Sequence, residues 1–257
     1  MDYQIKSVVK TFQILETLSI ESMYPAELAK ELNINKSTIH RFIMTLKDLG
    51  YIDISNDNLV RLSQSFINLG TRAQEQYQIH VIAQPYMEVL AKRFKESAYL
   101  ATFDGMTVQY IDSVESSLAV RTVFDPGRRS PAYAVASGKL FLANLSEMEL
   151  DDYLQQQNLK GHTKNTITDV ECLKQELQQI KKNSISLDNE EYELGLKGFA
   201  APVRDHSGKV IAALCIAGIT SRITSIQKVN EIIESLIDYS RKISIQMGCQ
   251  IFHSEVN

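Results

Sequence analysis

Between Asn35 and Gly50 the chain sets Ser37, Thr38, His40, Arg41, Thr45 and Lys47 against Ile39, Phe42, Ile43, Leu46 and Leu49. The apolar set recurs at i, i+3, i+4, i+7 and i+10, the spacing of one core-facing helical stripe. The other side carries hydroxyls near a helix N-terminus and an arginine one turn on. Hydroxyls there suit phosphate and base-edge contact, and arginine is the preferred bidentate partner of guanine. The chemistry these residues offer is the reading of a DNA major groove. Ser37, Thr38 and Arg41 are placed to reach base edges. Lys36, His40, Thr45 and, further along, Arg61 are placed to steady the phosphate backbone.

The surrounding residues supply the elements such a helix needs. Tyr24-Pro25 opens a short helix with Ala26, Leu28, Ala29 and Leu32 at helical spacing, and proline suits a first helical position. Asn33-Ile34-Asn35 breaks it. Asparagine tolerates the left-handed backbone of a helix end, and Asn35 suits the N-cap of the next helix. Gly50 suits the C′ position beyond that helix. Tyr51–Ile54, a Ser55–Asn58 turn and Leu59–Leu62 read as a hairpin, which is a wing. Val8, Val9, Phe12, Ile14, Leu15 and Leu18 predict a supporting helix. The reading is a winged helix-turn-helix over residues 1–62, with a three-helix protein-contact module as the plainer alternative. Residues 1–62 hold seven basic and eight acidic side chains. Such a domain cannot bind DNA by bulk charge, so two or more copies on one DNA are expected.

Other chemistry is thinner. Ser137-Gly138-Lys139-Leu140 falls short of a phosphate loop, because Tyr133 and Leu140 stand where a glycine and a Ser/Thr are needed. Asp188-Asn189-Glu190-Glu191 reads as a capped, solvated turn, with Asp188 the one candidate pocket group. Cys215 lies in an apolar strand and reads as an inert core thiol. Arg128-Arg129 suits an effector carboxylate, a solvated loop or a subunit interface equally. The three cysteines are far apart and the five histidines scattered, so neither a disulfide framework, a metal site nor a cofactor is expected. No run of 18 apolar residues occurs, and the first residues lack an apolar signal core. A cytoplasmic protein without membrane partners is the expectation. With 257 residues and a net charge of −4, two domains are expected and any nucleic-acid surface must be local.

Beyond the wing, residues 63–80 read as a linker helix, and residues 81–250 as a second domain. A helix is predicted at about 82–95. Strands are predicted at Tyr99–Phe103 and Thr107–Ile111 around an Asp104-Gly105 turn, and a third at Leu118–Val123. A loop from Asp125 to Pro131 follows. Helices are predicted at Ala132–Ala143, 147–156 and 169–183. Three more strands are predicted at Ile185–Leu187, Gly198–Arg204 and Lys209–Ala217, with a long final helix at 223–247. The mixture implies an α+β domain on an antiparallel sheet.

Taken together, these residues resemble the IclR family of bacterial transcriptional regulators. The likeness runs through Leu28-Ala29, Lys36-Ser37-Thr38, His40-Arg41, Thr45-Leu46 and Leu49-Gly50-Tyr51. It continues through Gly127-Arg128, Pro131, Gly138-Lys139, Leu142-Ala143, Thr168, Glu190-Glu191, Gly195, Ala200-Ala201-Pro202-Val203 and Ala212-Ala213. The resemblance implies a winged helix-turn-helix joined by a linker helix to a GAF-like effector-binding domain. It implies homodimers or homotetramers on palindromic double-stranded operators, and a small organic or aromatic acid as effector. Family pocket positions fall on Ser130, Ala136, Ser137, Asp188, Leu196, Gly198, Cys215 and Ala217. The N–H groups opening the helix near 134–145 suit a carboxylate, and Asp188 suits a ligand hydroxyl. Tyr133 stands where the family often has His, Gly198 where it often has Cys, and Cys215 and Ala217 where some members have Ser. A larger or less polar effector than a small oxo acid is therefore expected. An effector is expected to shift dimer geometry and the spacing of the two recognition helices, with repression as the default. An enzyme carrying a vestigial helix-turn-helix, and a ligand-free adaptor, are the competing readings; no catalytic constellation supports the first.

Overall fold

The computed structural model describes residues 5–76, 79–125 and 127–250. It divides into two compact units, the first running through Gln76 and the second following it. The first holds α1 (Lys6–Ile20), α2 (Pro25–Glu31), α3 (Lys36–Asp48), the hairpin β1 (Ile52–Ile54) and β2 (Val60–Leu62), and α4 (Ser65–Gln76). Ile39, Ile43 and Leu46 of α3 pack with Ile14, Leu18, Leu28, Ala29, Ile52 and Val60 into one small core. The turn between α2 and α3 forms as its asparagines require. Asn33 sits at φ 51°, and Asn35 Oδ1 accepts the Thr38 N–H at 2.8 Å as the α3 N-cap. Gly50 at φ 78° ends α3, and the Tyr51 N–H reaches back to the Leu46 carbonyl at 2.8 Å.

Two parts of the predicted stripes face outward. Leu49 is 64% exposed; at 100° per residue it lies about 80° round from Ile39, at the margin of the buried arc. Val8, Val9 and Phe12 of α1 are exposed, because the same geometry puts them about 120–160° from the buried Ile14.

The second unit holds α5 (Ile79–Phe94), β3 (Ser97–Phe103), β4 (Thr107–Val114), β5 (Arg129–Pro131), a 3-10 turn (Ala132–Ala134), α6 (Ala136–Ala143), α7 (Glu147–Gln156), α8 (Val170–Asn183), β6 (Ser186–Asn189), β7 (Leu196–Arg204), β8 (Val210–Ile219) and α9 (Ile226–Gln246). Among the described residues the strands form one antiparallel sheet in the order β5-β4-β3-β8-β7-β6. Both faces are covered, which is why β7 and β8 read as nearly continuous apolar runs. Ala98, Leu100, Phe199, Ala201, Leu214 and Ile216 pack under α5 and α9. Tyr99, Ala101, Ala200, Ala213, Cys215 and Ala217 face α6 and α8.

Three expectations fail here. Leu118–Val123 is an irregular strap, not a strand. Val120 is 68% and Val123 44% exposed, so the segment has no apolar face to bury. Its polar groups tie it down instead, with Thr122 Oγ1 donating to the Ala217 carbonyl at 2.9 Å. The predicted 125–131 loop contains β5, which takes the free edge of β4; Pro126 lies outside the described residues. The predicted Ala132–Ala143 helix breaks at Val135, extended at φ −121° and ψ 149°, and α6 proper starts at Ala136. The helix then folds back onto the turn so closely that a Cβ on Gly138 would sit 2.2 Å from the Ala132 carbonyl oxygen. Within the predicted 63–80 linker, residues 77 and 78 lie outside the described residues.

Candidate functional site

The first unit presents α3 as an exposed polar face. Lys36, Ser37, His40, Arg41 and Thr45 are exposed, and Thr38 is half-buried beside the core. Several of these groups already have local partners. Ser37 Oγ donates to Asn35 Oδ1 at 2.9 Å, and Thr45 Oγ1 donates to the Arg41 carbonyl at 2.8 Å. Both oxygens keep a free lone pair for an incoming donor. Arg61 stands opposite Asp53 across the wing, with Nε 3.8 Å from Oδ2 and both side chains more than half exposed. Met44, exposed one turn beyond Arg41, is a further residue of this face that the sequence reading does not single out.

The second unit holds a small cavity of about 20 Å³ between the sheet and α6, about the space of one water. All eight pocket positions carried over from the resemblance line it: Ser130, Ala136, Ser137, Asp188, Leu196, Gly198, Cys215 and Ala217. Strand register explains the convergence. Asp188 pairs with Gly198 and Gly198 with Ala217, so the three stand side by side across β6, β7 and β8. Ala136 and Ser137 open α6 directly above. A Cβ on Gly198 would meet Asp188 Cβ at 3.4 Å and Ala136 Cβ at 3.5 Å, so this glycine holds the cavity open.

Seven lining residues escape the sequence reading: Tyr99, Tyr110, Phe124, Val135, Tyr192, Phe199 and Ile216. Tyr99, Tyr110 and Phe124 form an aromatic wall. Tyr99 meets Tyr110 edge-on at 5.5 Å, and Phe124 lies 4.8 Å from each. The alternation along β3 and β4 carries the signal for the two tyrosines. Phe124 sits at the end of the strap misread as a strand. The Tyr99 hydroxyl is already used on the Thr122 carbonyl at 2.8 Å.

Burial sets the electrostatics. It pushes the Cys215 thiol up to about 12, which keeps it an inert thiol, and raises Tyr110 as well. It raises the Asp188 carboxyl to about 7, with the Glu191 carboxyl adding and the Glu191 N–H and Lys139 opposing. The predicted solvated turn at 188–191 is solvated only in part: Asn189 is exposed and Glu190 half-buried, whereas Glu191 is buried along with Asp188. Asp188 Oδ1 accepts the Glu191 N–H at 2.7 Å, and Lys139, itself fully buried, holds Glu191 Oε1 at 2.5 Å and Glu176 at 3.4 Å. The turn folds inward because Thr163 and Thr166 donate to the Glu190 and Glu191 carbonyls from the far side. Arg128 covers the Phe124 ring at 4.4 Å and Arg129 pairs with Asp104; neither lines the cavity.

Comparison with known proteins gives a consistent result. The family described as "Bacterial transcriptional regulator IclR C-terminal" matches residues 59–245, and "Bacterial regulatory protein, arsR family" matches residues 12–53. The HTH-type transcriptional regulator KdgR of Escherichia coli is 35% identical over 246 residues, 95% of this chain and 93% of its own. The regulator XynR of the same organism is 31% identical over 229 residues, 88% of this chain and 91% of its own. The crystal structure of the Thermotoga maritima IclR matches with a TM-score of 0.64 at 30% identity, covering 95% of this chain and 100% of that one. Among the described residues no helix is long and apolar enough to cross a membrane.

Proposed function

The chain belongs to the IclR family of bacterial transcriptional regulators, and on that footing we propose that it is a repressor whose operator binding is set by a small organic or aromatic acid. Family members are DNA-binding regulators and not enzymes. The acid occupies the cavity under α6. The observation that carries this reading is the meeting of all eight family pocket positions, drawn from β5, α6, β6, β7 and β8, on one small cavity. The aromatic wall of Tyr99, Tyr110 and Phe124 suits a ligand with a flat or apolar body. Ser130, Ser137 and the opening N–H groups of α6 suit its polar end.

On the DNA side, Ser37, Thr38 and Arg41 read bases, and Lys36, His40, Thr45 and Arg61 steady the backbone. The near-neutral first domain makes a homodimer or homotetramer on a palindromic operator the working form, in the cytoplasm. Effector and DNA are linked because the acid binds the operator-competent and operator-incompetent states with different affinity. The test is a gel-shift titration with DNA upstream of the protein's own gene and its neighbours, repeated with a panel of organic and aromatic acids. The expected result is a specific shift that one class of acid weakens. A specific shift that no acid alters contradicts the effector reading while leaving the DNA reading intact.

A further inference from the structure

An acid in this cavity meets an unusual lining. Among the described residues no Lys, Arg or His lines the space. Lys139, the buried cation beside it, is bound to Glu191 and Glu176. Among the described residues the one carboxyl in the lining belongs to Asp188, which is 4% exposed. Its Oδ1 is occupied by the Glu191 N–H at 2.7 Å. Its Oδ2 lies 3.9 Å from where a Cβ on Gly198 would stand, and both residues line the cavity. A second carboxylate placed beside it, with no lining cation to offset it, is repelled unless a proton lies between the two.

Resting on the reading of the effector as an acid, we propose that Asp188 receives it as a neutral carboxylic acid, donating a hydrogen bond from Oδ2 to the effector's carboxylate, so that the anion enters together with one proton. The balance is simple: ionised Asp188, effector anion and one proton give a complex with one negative charge. The effector keeps its charge and Asp188 keeps the proton.

The groups around Asp188 are consistent with this. Tyr110 on β4, Cys215 on β8 and Ser137 on α6 present neutral polar atoms. Glu191 and Tyr192 follow in the β6–β7 turn; their backbone N–H groups favour an ionised Asp188, while the Glu191 carboxyl disfavours it. Lys139 on α6 opposes that effect, with its charge shared by Glu191 and by Glu176 on α8. Burial prevails and places the Asp188 carboxyl at about 7. Below that pH the proton is already in place and binding takes up none. Above it each binding event must take one up, and affinity falls about tenfold per pH unit.

The test uses the full-length protein with benzoate and pyruvate as carboxylate probes and benzamide as the uncharged control. Ligand-induced thermal stabilisation, titrated at pH 6 and pH 8, gives each Kd. Calorimetry in two buffers of different ionisation heat counts the protons. The expected result is a carboxylate Kd about tenfold weaker at pH 8 than at pH 6, with proton uptake approaching one at pH 8. In Asp188→Asn the amide donates at every pH, so the expected Kd is the same at both and tighter than wild type at pH 8. Carboxylate binding without pH dependence or proton uptake in the wild type overturns the proposal, and this arm stands even if the variant does not fold. Stabilisation by benzamide alone, or by none of the three, instead removes the acid reading on which the proposal rests.

Discussion

The face proposed to read DNA and the cavity proposed to hold the effector are built on opposite principles. The first is local: within one run of consecutive residues, α3 carries its own N-cap, its own core stripe and its own exposed polar side chains. Its side chains are solvated, its charges isolated, and its main ion pair, Arg61 with Asp53, is loose at 3.8 Å. The cavity is non-local. Its lining comes from segments between Tyr99 and Ala217, and beside it a lysine and two carboxyls are buried with little water to screen them. Changing a charge therefore costs little on the first surface, while leaving one unpaired beside the second costs much. On the proposed reading the first surface keeps its charge for the partner, while the second uses paired charge to hold a pocket in shape.

Four substitutions test that contrast, in order of falling effect. Lys139→Met leaves Glu191 buried without its cation, and Glu191 Oε2 already lacks a hydrogen-bond partner among the described residues. A loss of about 3–5 kcal/mol is expected in urea unfolding. Adding Glu191→Met to Lys139→Met should restore much of it; no recovery would mean that packing, not charge, is at stake.

Asp188→Asn comes next. The Asp188 carboxyl ionises near 3.9 unfolded and at about 7 folded. Its contribution to stability is therefore complete below about pH 4 and lost as pH rises to about 7. The asparagine variant escapes that loss. Relative to wild type, it should gain on the order of 2–4 kcal/mol between pH 4 and pH 8. Parallel stability curves for the two proteins would place Asp188 in contact with water.

On the other surface, Arg41→Ala should leave stability within about 0.5 kcal/mol and cost about 1–3 kcal/mol of binding on the specific site. Equal loss on a scrambled duplex would reduce Arg41 to a phosphate contact. Arg61→Ala is the smallest, with about 0–0.5 kcal/mol in stability. It should lower the salt dependence of DNA binding by about one ion, and an unchanged salt slope would remove the wing from the phosphate contacts.

The same contrast explains what could be read from the residues alone. The helix-turn-helix was legible because its signals are neighbours: Pro25, Asn33, Asn35 and Gly50 each act within a turn of themselves. The outward faces of Leu49, Val8, Val9 and Phe12 were legible too, in the angles about the helix axis, but apolar spacing taken alone hides them. In the second unit the positions of α7, α8, β7 and β8 follow from periodicity. The strap at 118–123 does not, because alternation is the same whether a strand finds an edge or that edge is filled by Arg129–Pro131. The eight pocket positions came from resemblance. The aromatic wall and the buried Lys139–Glu191 pair required the fold, since nothing in the local sequence says that Lys139 faces inward or that the 188–191 turn is covered by Thr163 and Thr166.

The central claim is that one cavity governs one DNA surface, and Gly198 tests it most directly. It is a position in the second unit where a side chain would enter the cavity against Asp188 and Ala136. Operator affinity of the wild type and of Gly198→Cys should be measured with and without the acid that alters the wild-type shift. The account predicts equal affinity for operator alone and a response to the acid weakened several-fold in the variant. An unaltered response in Gly198→Cys would contradict it, and would move the effector site elsewhere in the chain.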